Sequence, residues 1–95
     1  LQNLGPDMLI EDLADQDFVT LLRAKNKWNI CKAIMDQSVI AGVGNYVKAD
    51  SLWLAGINPN CKVSQLEDGH LACLNRAIKK VLKATLEVFK SLNKI

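Results

Sequence analysis

The sequence predicts an all-α domain of about four helices. Apolar residues recur at spacings of three and four along most of the chain, no stretch carries a strand signal, and glycine, proline and asparagine fall between the periodic runs. With 95 residues, 49% of them hydrophobic and 23% charged, the chain suits one small domain with a single core. No apolar run approaches the roughly 20 residues that cross a bilayer, and no basic start leading into an apolar block marks a signal peptide, so no membrane partner is expected. Because the first residue is Leu1 and not methionine, the chain is expected to be a piece of a longer protein.

Leu4-Gly5-Pro6-Asp7 is a punctuated start, since the residue before a proline avoids helical angles. Residues 1–13 therefore read as a lead-in, a linker or docking segment, and residues 14–95 as the helical domain. The first helix should run from about Ala14 to Lys25, with Asp15 as its cap, Asp17 in the first turn, and Phe18, Leu21 and Leu22 on the buried stripe. Asn26 and Asn29 bracket a break. Ile30, Ile34 and Met35 then define a short second helix that ends near Asp36.

A third helix is predicted from about Tyr46 to Ala55, burying Ala49, Leu52 and Trp53, with Gly56 as a left-handed terminator and Pro59 blocking continuation. Downstream, Ser64-Gln65-Leu66-Glu67 matches a capping box, while Gly69 allows a later start at Glu67 or Asp68. Leu71, Leu74, Ile78, Val81, Leu82, Thr85, Phe89 and Leu92 sustain the helical period through the longest helix.

Between the second and third helices lies Met35-Asp36-Gln37-Ser38-Val39-Ile40-Ala41-Gly42-Val43-Gly44-Asn45-Tyr46-Val47-Lys48. Gly42 and Gly44 are expected to supply backbone angles costly for residues with a Cβ, and Asn45 to cap the helix that follows. The first amides of a helix lack internal partners and its dipole favours negative charge there, so the bend reads as a phosphate-binding turn. The competing reading is an ordinary capped connection between packed helices. Lys48, one turn into the third helix, and Lys32, in the second, favour the anion site.

Charge is unevenly spread. Residues 1–22 hold Asp7, Glu11, Asp12, Asp15 and Asp17 and no basic residue, whereas residues 23–95 hold all 12 basic residues and are net +7. That bias suits a polyanionic partner. The stripe of Arg76, Lys80, Lys83, Lys90 and Lys94 on the last helix is read first as the solvated side of an amphipathic helix, and only second as a phosphate-facing surface. Cys31, Cys61 and Cys73 form no Cys-x-x-Cys pair and read as reduced, partly buried thiols of an intracellular protein; no metal or other cofactor is expected. His70 has no catalytic partner near it in sequence, and no residue pair offers an activated nucleophile with its base, so no catalytic residue is assigned.

Leu4-Gly5-Pro6-Asp7, Met35-Asp36-Gln37, Ala41-Gly42-Val43-Gly44-Asn45 and Ala55-Gly56-Ile57-Asn58-Pro59, in this order and spacing, resemble the central domain of the formamidopyrimidine-DNA glycosylase and endonuclease VIII (Fpg/Nei) family. The resemblance covers essentially the whole chain. It implies a helix-two-turns-helix domain that holds the DNA backbone of a base-excision repair glycosylase/AP lyase acting on oxidised bases in damaged double-stranded DNA. On the matching positions, Asn45 is the asparagine that contacts phosphate near the lesion, the amides of Val43 and Gly44 belong to its turn, and Lys48 and Tyr46 suit the endonuclease VIII-like branch. The sequence departs from the family at Cys31, where many members have a lysine; Lys32 is next door but points some 100° away on a helix.

The family's chemistry rests on an N-terminal proline with a glutamate beside it, and on a zinc or zincless finger after the long helix. None of these is present in the sequence, so the resemblance makes the missing N-terminal catalytic domain and C-terminal finger partners of this segment, which is expected to be inactive alone. Two other readings stand beside it. A ribosomal protein family shares the helical motif and would bring a preference for structured RNA and a basic C-terminal tail; the other is a non-catalytic interaction domain.

Overall fold

Four helices carry the chain: α1 (Asp15–Arg23), α2 (Ile30–Met35), α3 (Asn45–Ala55) and α4 (Asp68–Leu92), with a 3-10 turn at Val63–Gln65 ahead of α4. The computed structural model describes residues 5–8 and 11–92 without the side chains of Phe89, Lys90 and Leu92, so expectations for those side chains, Leu4 and Lys94 fall outside the described residues. Among the described residues there is no strand, only isolated bridges pairing Asp7 with Ala41 and Asn29 with Lys62.

The first helix buries Phe18, Val19 and Leu22, and its ends suit the helix dipole, with Asp15 and Asp17 in the first turn and Arg23 in the last. Asp15 is not the cap. Ala14 occupies that position with extended backbone and no side-chain cap bond. The Asp15 carboxylate is drawn to α4 instead: Asn75 Nδ2 donates to Asp15 Oδ1 at 2.9 Å and to the Leu13 carbonyl at 3.0 Å, while Arg76 donates to Asp15 Oδ2 through Nε at 3.1 Å and Nη2 at 2.7 Å. Asn75 is fully buried, and these bonds compensate its Nδ2 donors for leaving water, while its Oδ1 has no partner among the described residues.

The Asn75 bond first, and the Arg76 bonds next, hold the Asp15 carboxyl below the usual aspartate range. The folded state therefore binds fewer protons than the unfolded one. The resulting stabilisation is complete above the ordinary aspartate value of 3.8 and drains away as the pH falls through the lower folded value. Thermal melts from pH 6 down through the acid range, on the order of pH 3 and below, should show the deficit of Asp15→Asn shrinking as the medium acidifies. A deficit independent of pH would remove the carboxylate from the account.

The first helix ends at Arg23, two residues earlier than expected, because the Lys25 amide turns to the Leu22 carbonyl at 2.9 Å and the chain leaves the axis. Asn29 then caps α2, its Oδ1 accepting from the Cys31 amide at 2.7 Å, and α2 buries Ile30, Ala33 and Ile34. Asn29 Nδ2 also donates to the Pro59 carbonyl at 2.9 Å, and the Ile30 amide donates to the Cys61 carbonyl at 2.8 Å. These bonds fix α2 against the turn that follows α3.

Gly56 ends α3 with φ 69°, the left-handed conformation expected of it. The buried face of α3 is Val47, Ser51 and Leu52, whereas Ala49 is exposed and Trp53 is 81% exposed. The expectation of a buried Trp53 is thus wrong. The apolar residues 49, 52 and 53 suggested a face rotated away from the real one, which runs through Ser51, a polar residue at the fourth position after Val47.

The last helix begins at Asp68, the later of the two expected starts, and buries Leu71, Leu74, Ile78, Val81 and Leu82. Gln65 Oε1 accepts from the Lys62 amide at 2.8 Å, so the earlier residues close a 3-10 turn in place of an α-helical one. The fourth helix packs across both α1 and α3, forming the spine of one core with Phe18, Leu22, Ile30, Ile34 and Ile40. Each such side chain contributes about 1.5–3 kcal/mol on burial.

Residues 5–8 are docked. The Gly5 amide donates to the Gln37 carbonyl at 2.8 Å, the Ala41 amide to the Pro6 carbonyl at 2.8 Å, and the Met8 amide to the Ala41 carbonyl at 2.9 Å. Met8 is 4% exposed and belongs to the core cluster.

Candidate nucleic-acid interface

The connection from α2 to α3 starts at Asp36. Its carbonyl accepts from the amides of Val39 at 3.0 Å and Ile40 at 3.2 Å, and its Oδ1 accepts from the Ser38 amide at 2.8 Å and hydroxyl at 2.5 Å. The Ser38 hydroxyl and amide, with help from the charges of Lys25 and Lys32, hold this carboxyl below the usual range. Asp36 is therefore an ionised acceptor that shapes the turn, not an acid with a proton to give.

Ile40 is buried, Ala41 is tied to residues 6 and 8, and the chain then bends at Gly42, where φ is 96°. Of the two glycines in this bend, only Gly42 uses a conformation that favours glycine. Gly44 is extended, with φ −93° and ψ −177°, and a Cβ there would meet open space, which corrects the expectation of two special angles. The cap assignment also moves by one residue: Gly44 is the N-cap of α3, and Asn45 is its first helical residue. Freed from capping, the Asn45 side chain points its Oδ1 to Lys48 Nζ at 3.4 Å.

Among the described residues, no carbonyl or side chain accepts from the amides of Gly44, Asn45, Tyr46 or Val47. This is the unpaired first turn that an α-helix must have, here open to solvent at Gly44, Asn45 and Tyr46. Val43 is different. It is buried, so its side chain does not face a ligand at this bend.

The structure thus brings Gly44, Asn45 and Lys48 together at one helix start. Lys32 stands apart, with its Nζ 4.4 Å from the centre of the Trp28 ring and its charge felt at Asp36. Sequence reasoning missed a neighbouring cleft of about 320 Å³, lined by Cys31, Lys48, Ala49, Leu52, Trp53, Ile57 and Pro59. Position 31 and Lys48 share this cleft, and Cys31 Sγ lies 3.4 Å from the Pro59 carbonyl oxygen. Cys31 and Cys61 are half-buried, as expected, whereas Cys73 is exposed.

The basic stripe of α4 is partly spent inside the fold. Arg76 is paired with Asp15, and the adjacent Lys79 holds Asp12 at 2.7 Å. Arg76, Lys80 and Lys83 of the stripe are all exposed, as the reading of a solvated helix side expects. On α3, the Asp50 carboxylate pushes the phenol of the exposed Tyr46 above its usual range.

Residues 4–95 match the sequence model of the formamidopyrimidine-DNA glycosylase H2TH domain. The chain belongs to that family. Relatives of this H2TH domain include the formamidopyrimidine-DNA glycosylase of Herpetosiphon aurantiacus, 41% identical over 90% of this chain and 31% of the relative. The glycosylase of Arabidopsis thaliana is 34% identical over 93% of this chain and 22% of the relative. The H2TH fold recurs in the Lactococcus lactis glycosylase bound non-covalently to DNA with an AP site, with TM-score 0.80 and 27% identity over 97% of this chain and 36% of that one. It recurs also in MutM in complex with DNA containing carbocyclic 8-oxo-G, with TM-score 0.78 and 28% identity over 90% of this chain and 32% of that one. The chain spans about a third or less of the length of these relatives. All of them are glycosylases, which favours that reading over a ribosomal module.

Proposed function

We propose that this chain is the DNA-gripping domain of a bifunctional DNA glycosylase/AP lyase acting on oxidised bases, and that it clamps one phosphate of damaged duplex DNA near the lesion. The observation that carries the reading is the open helix start at Gly44–Asn45, with Lys48 beside it, in a fold shared with DNA-bound glycosylases. The amides of Val43, Gly44 and Asn45 and the Asn45 carboxamide would face the phosphate, and Lys48 would add its charge. Lys32 would contribute from the flank. Phosphate contacts position a duplex without reading its sequence, so this grip alone would be indifferent to sequence. Base extrusion, glycosidic cleavage and strand elimination would lie in segments outside these 95 residues, and the segment alone would not cut DNA. A DNA-repair role places the protein inside a cell.

Fluorescence anisotropy with a duplex carrying an abasic analogue tests the grip. Asn45→Ala combined with Lys48→Ala should weaken binding by about 10- to 100-fold at low salt, as expected when two charge-assisted hydrogen bonds are removed. Affinity equal to that of the unaltered chain would remove the assigned site.

A further inference from the structure

The corner between α1 and α2 carries a second concentration of charge. Lys25 Nζ lies 4.5 Å and Lys32 Nζ 4.4 Å from the centre of one ring, that of Trp28. The ring face attracts each ammonium, but the two like charges repel one another, and an anion set between them would relieve that repulsion. Among the described residues no carboxylate forms an ion pair with either ammonium. The three ion pairs among the described residues use Arg23, Arg76 and Lys79, and none uses Lys25, Lys27, Lys32 or Lys62. Asp36 feels the charges of Lys25 and Lys32, but it forms no ion pair with either, and its Oδ1 accepts from Ser38.

The ring is half-buried against the core, which makes it a fixed platform. Cation–π contact holds the two long side chains in place and lowers the rotamer entropy they would lose on meeting a ligand. Asp36, which feels both lysines, opens the connection that runs on to Gly42–Asn45, so the platform lies at the α2 end of that connection. Lys62 is brought to the same side by its bridge to Asn29, the cap of α2.

Resting on the DNA-binding reading above, we propose that Lys25 and Lys32, ordered on the Trp28 ring, form a second contact for a nucleic-acid phosphate backbone beside the Gly44–Asn45 bend. The bend holds one phosphate through amides and a carboxamide. The lysine pair meets further phosphates of the same duplex as mobile point charges, with no demand on sequence.

The test is the salt dependence of duplex binding by the 95-residue chain, from about 50 to 200 mM monovalent salt. Removing one lysine–phosphate interaction should flatten the plot of log affinity against log salt by about 0.9. Lys25→Ala with Lys32→Ala should flatten it by about 1–2 and weaken binding roughly tenfold at the low-salt end. Lys25→Arg with Lys32→Arg, which keeps charge and ring contact, should restore the slope. If the unaltered chain binds and Asn45→Ala with Lys48→Ala weakens it, yet the double alanine variant at 25 and 32 keeps the original slope, the platform is overturned and the bend survives. A flatter slope for the variant at 25 and 32 with no effect at 45 and 48 supports the platform against the bend. Failure of the unaltered chain to bind duplex overturns both.

Discussion

Arg23→Ala is expected to lower the unfolding free energy by about 2–3 kcal/mol, a fall in Tm on the order of 10–20 °C for a domain of this size. The guanidinium joins the end of α1 to the start of α4. Its Nη1 donates to the Val63 carbonyl at 3.0 Å and to Asn26 Oδ1 at 3.3 Å, and its Nη2 to the Leu66 carbonyl at 2.7 Å. Nε and Nη2 also reach Asp68 Oδ1, at 3.1 and 2.6 Å. The ion pair is the smaller part, because the Asp68 side chain is 75% exposed and an exposed pair contributes about 0–1 kcal/mol. The two part-buried carbonyls matter more: alanine would leave both without their charged donor. Asp68→Asn should therefore cost well under half as much as Arg23→Ala in denaturant titrations, and Arg23→Lys should recover little because an ammonium lacks the planar fork. Equal losses for Arg23→Ala and Asp68→Asn would shift the weight to the ion pair and contradict this division.

Gly5→Ala should cost about 2–4 kcal/mol and loosen the α2–α3 connection. A Cβ at this position would lie 2.2 Å from the Val39 carbonyl oxygen and 2.4 Å from its carbon, so backbone has to move. The displaced segment carries the bonds from Gly5 to Gln37, Ala41 to Pro6 and Met8 to Ala41, together with the buried Met8 side chain. Hydrogen exchange gives the specific readout: the Ala41 amide should lose protection far beyond what the global change explains. Duplex binding should weaken as well, because the bend loses its backing. An unaltered Tm with Ala41 still protected would show that residues 5–8 do not brace the bend.

Elements were legible in the sequence wherever a local rule set them. Gly56 ended α3 because the left-handed cap is a property of one residue, and α2 ran from Ile30 to Met35 as its apolar spacing required. The errors share a cause in distance along the chain. Asp15 looked like a cap because Asn75 and Arg76, which claim its carboxylate, are 60 and 61 residues away. Trp53 looked like core because a polar residue, Ser51, occupies the real buried face. At the candidate site, Asn45 was readable as a residue of the α3 start but was placed one position early as its cap, and Lys48 one turn on comes within 3.4 Å of it. The Trp28 platform was not: it needs Lys25 from the turn after α1 and Lys32 from α2 to meet on one ring, which no periodicity reports.

The pairing of α1 with α4 also bears on how the molecule meets a partner in solution. Asp12 and Asp15 are answered by Lys79 and Arg76, and Asp68 by Arg23, so these charges largely cancel within the fold. Lys25, Lys27, Lys32, Lys48 and Lys62 enter none of these ion pairs and gather around α2 and its adjoining turns. Lys80 and Lys83, exposed on α4, enter none either, so among the described residues a chain of net charge only +2 holds its unpaired lysines in two groups, the larger around α2. Facing a polyanion at low salt, such a molecule experiences a torque that turns its lysine-rich side forward before contact, raising the fraction of encounters that are productive. Above the ionic strength at which the Debye length falls below about 8 Å, that orienting pull fades while short contacts persist.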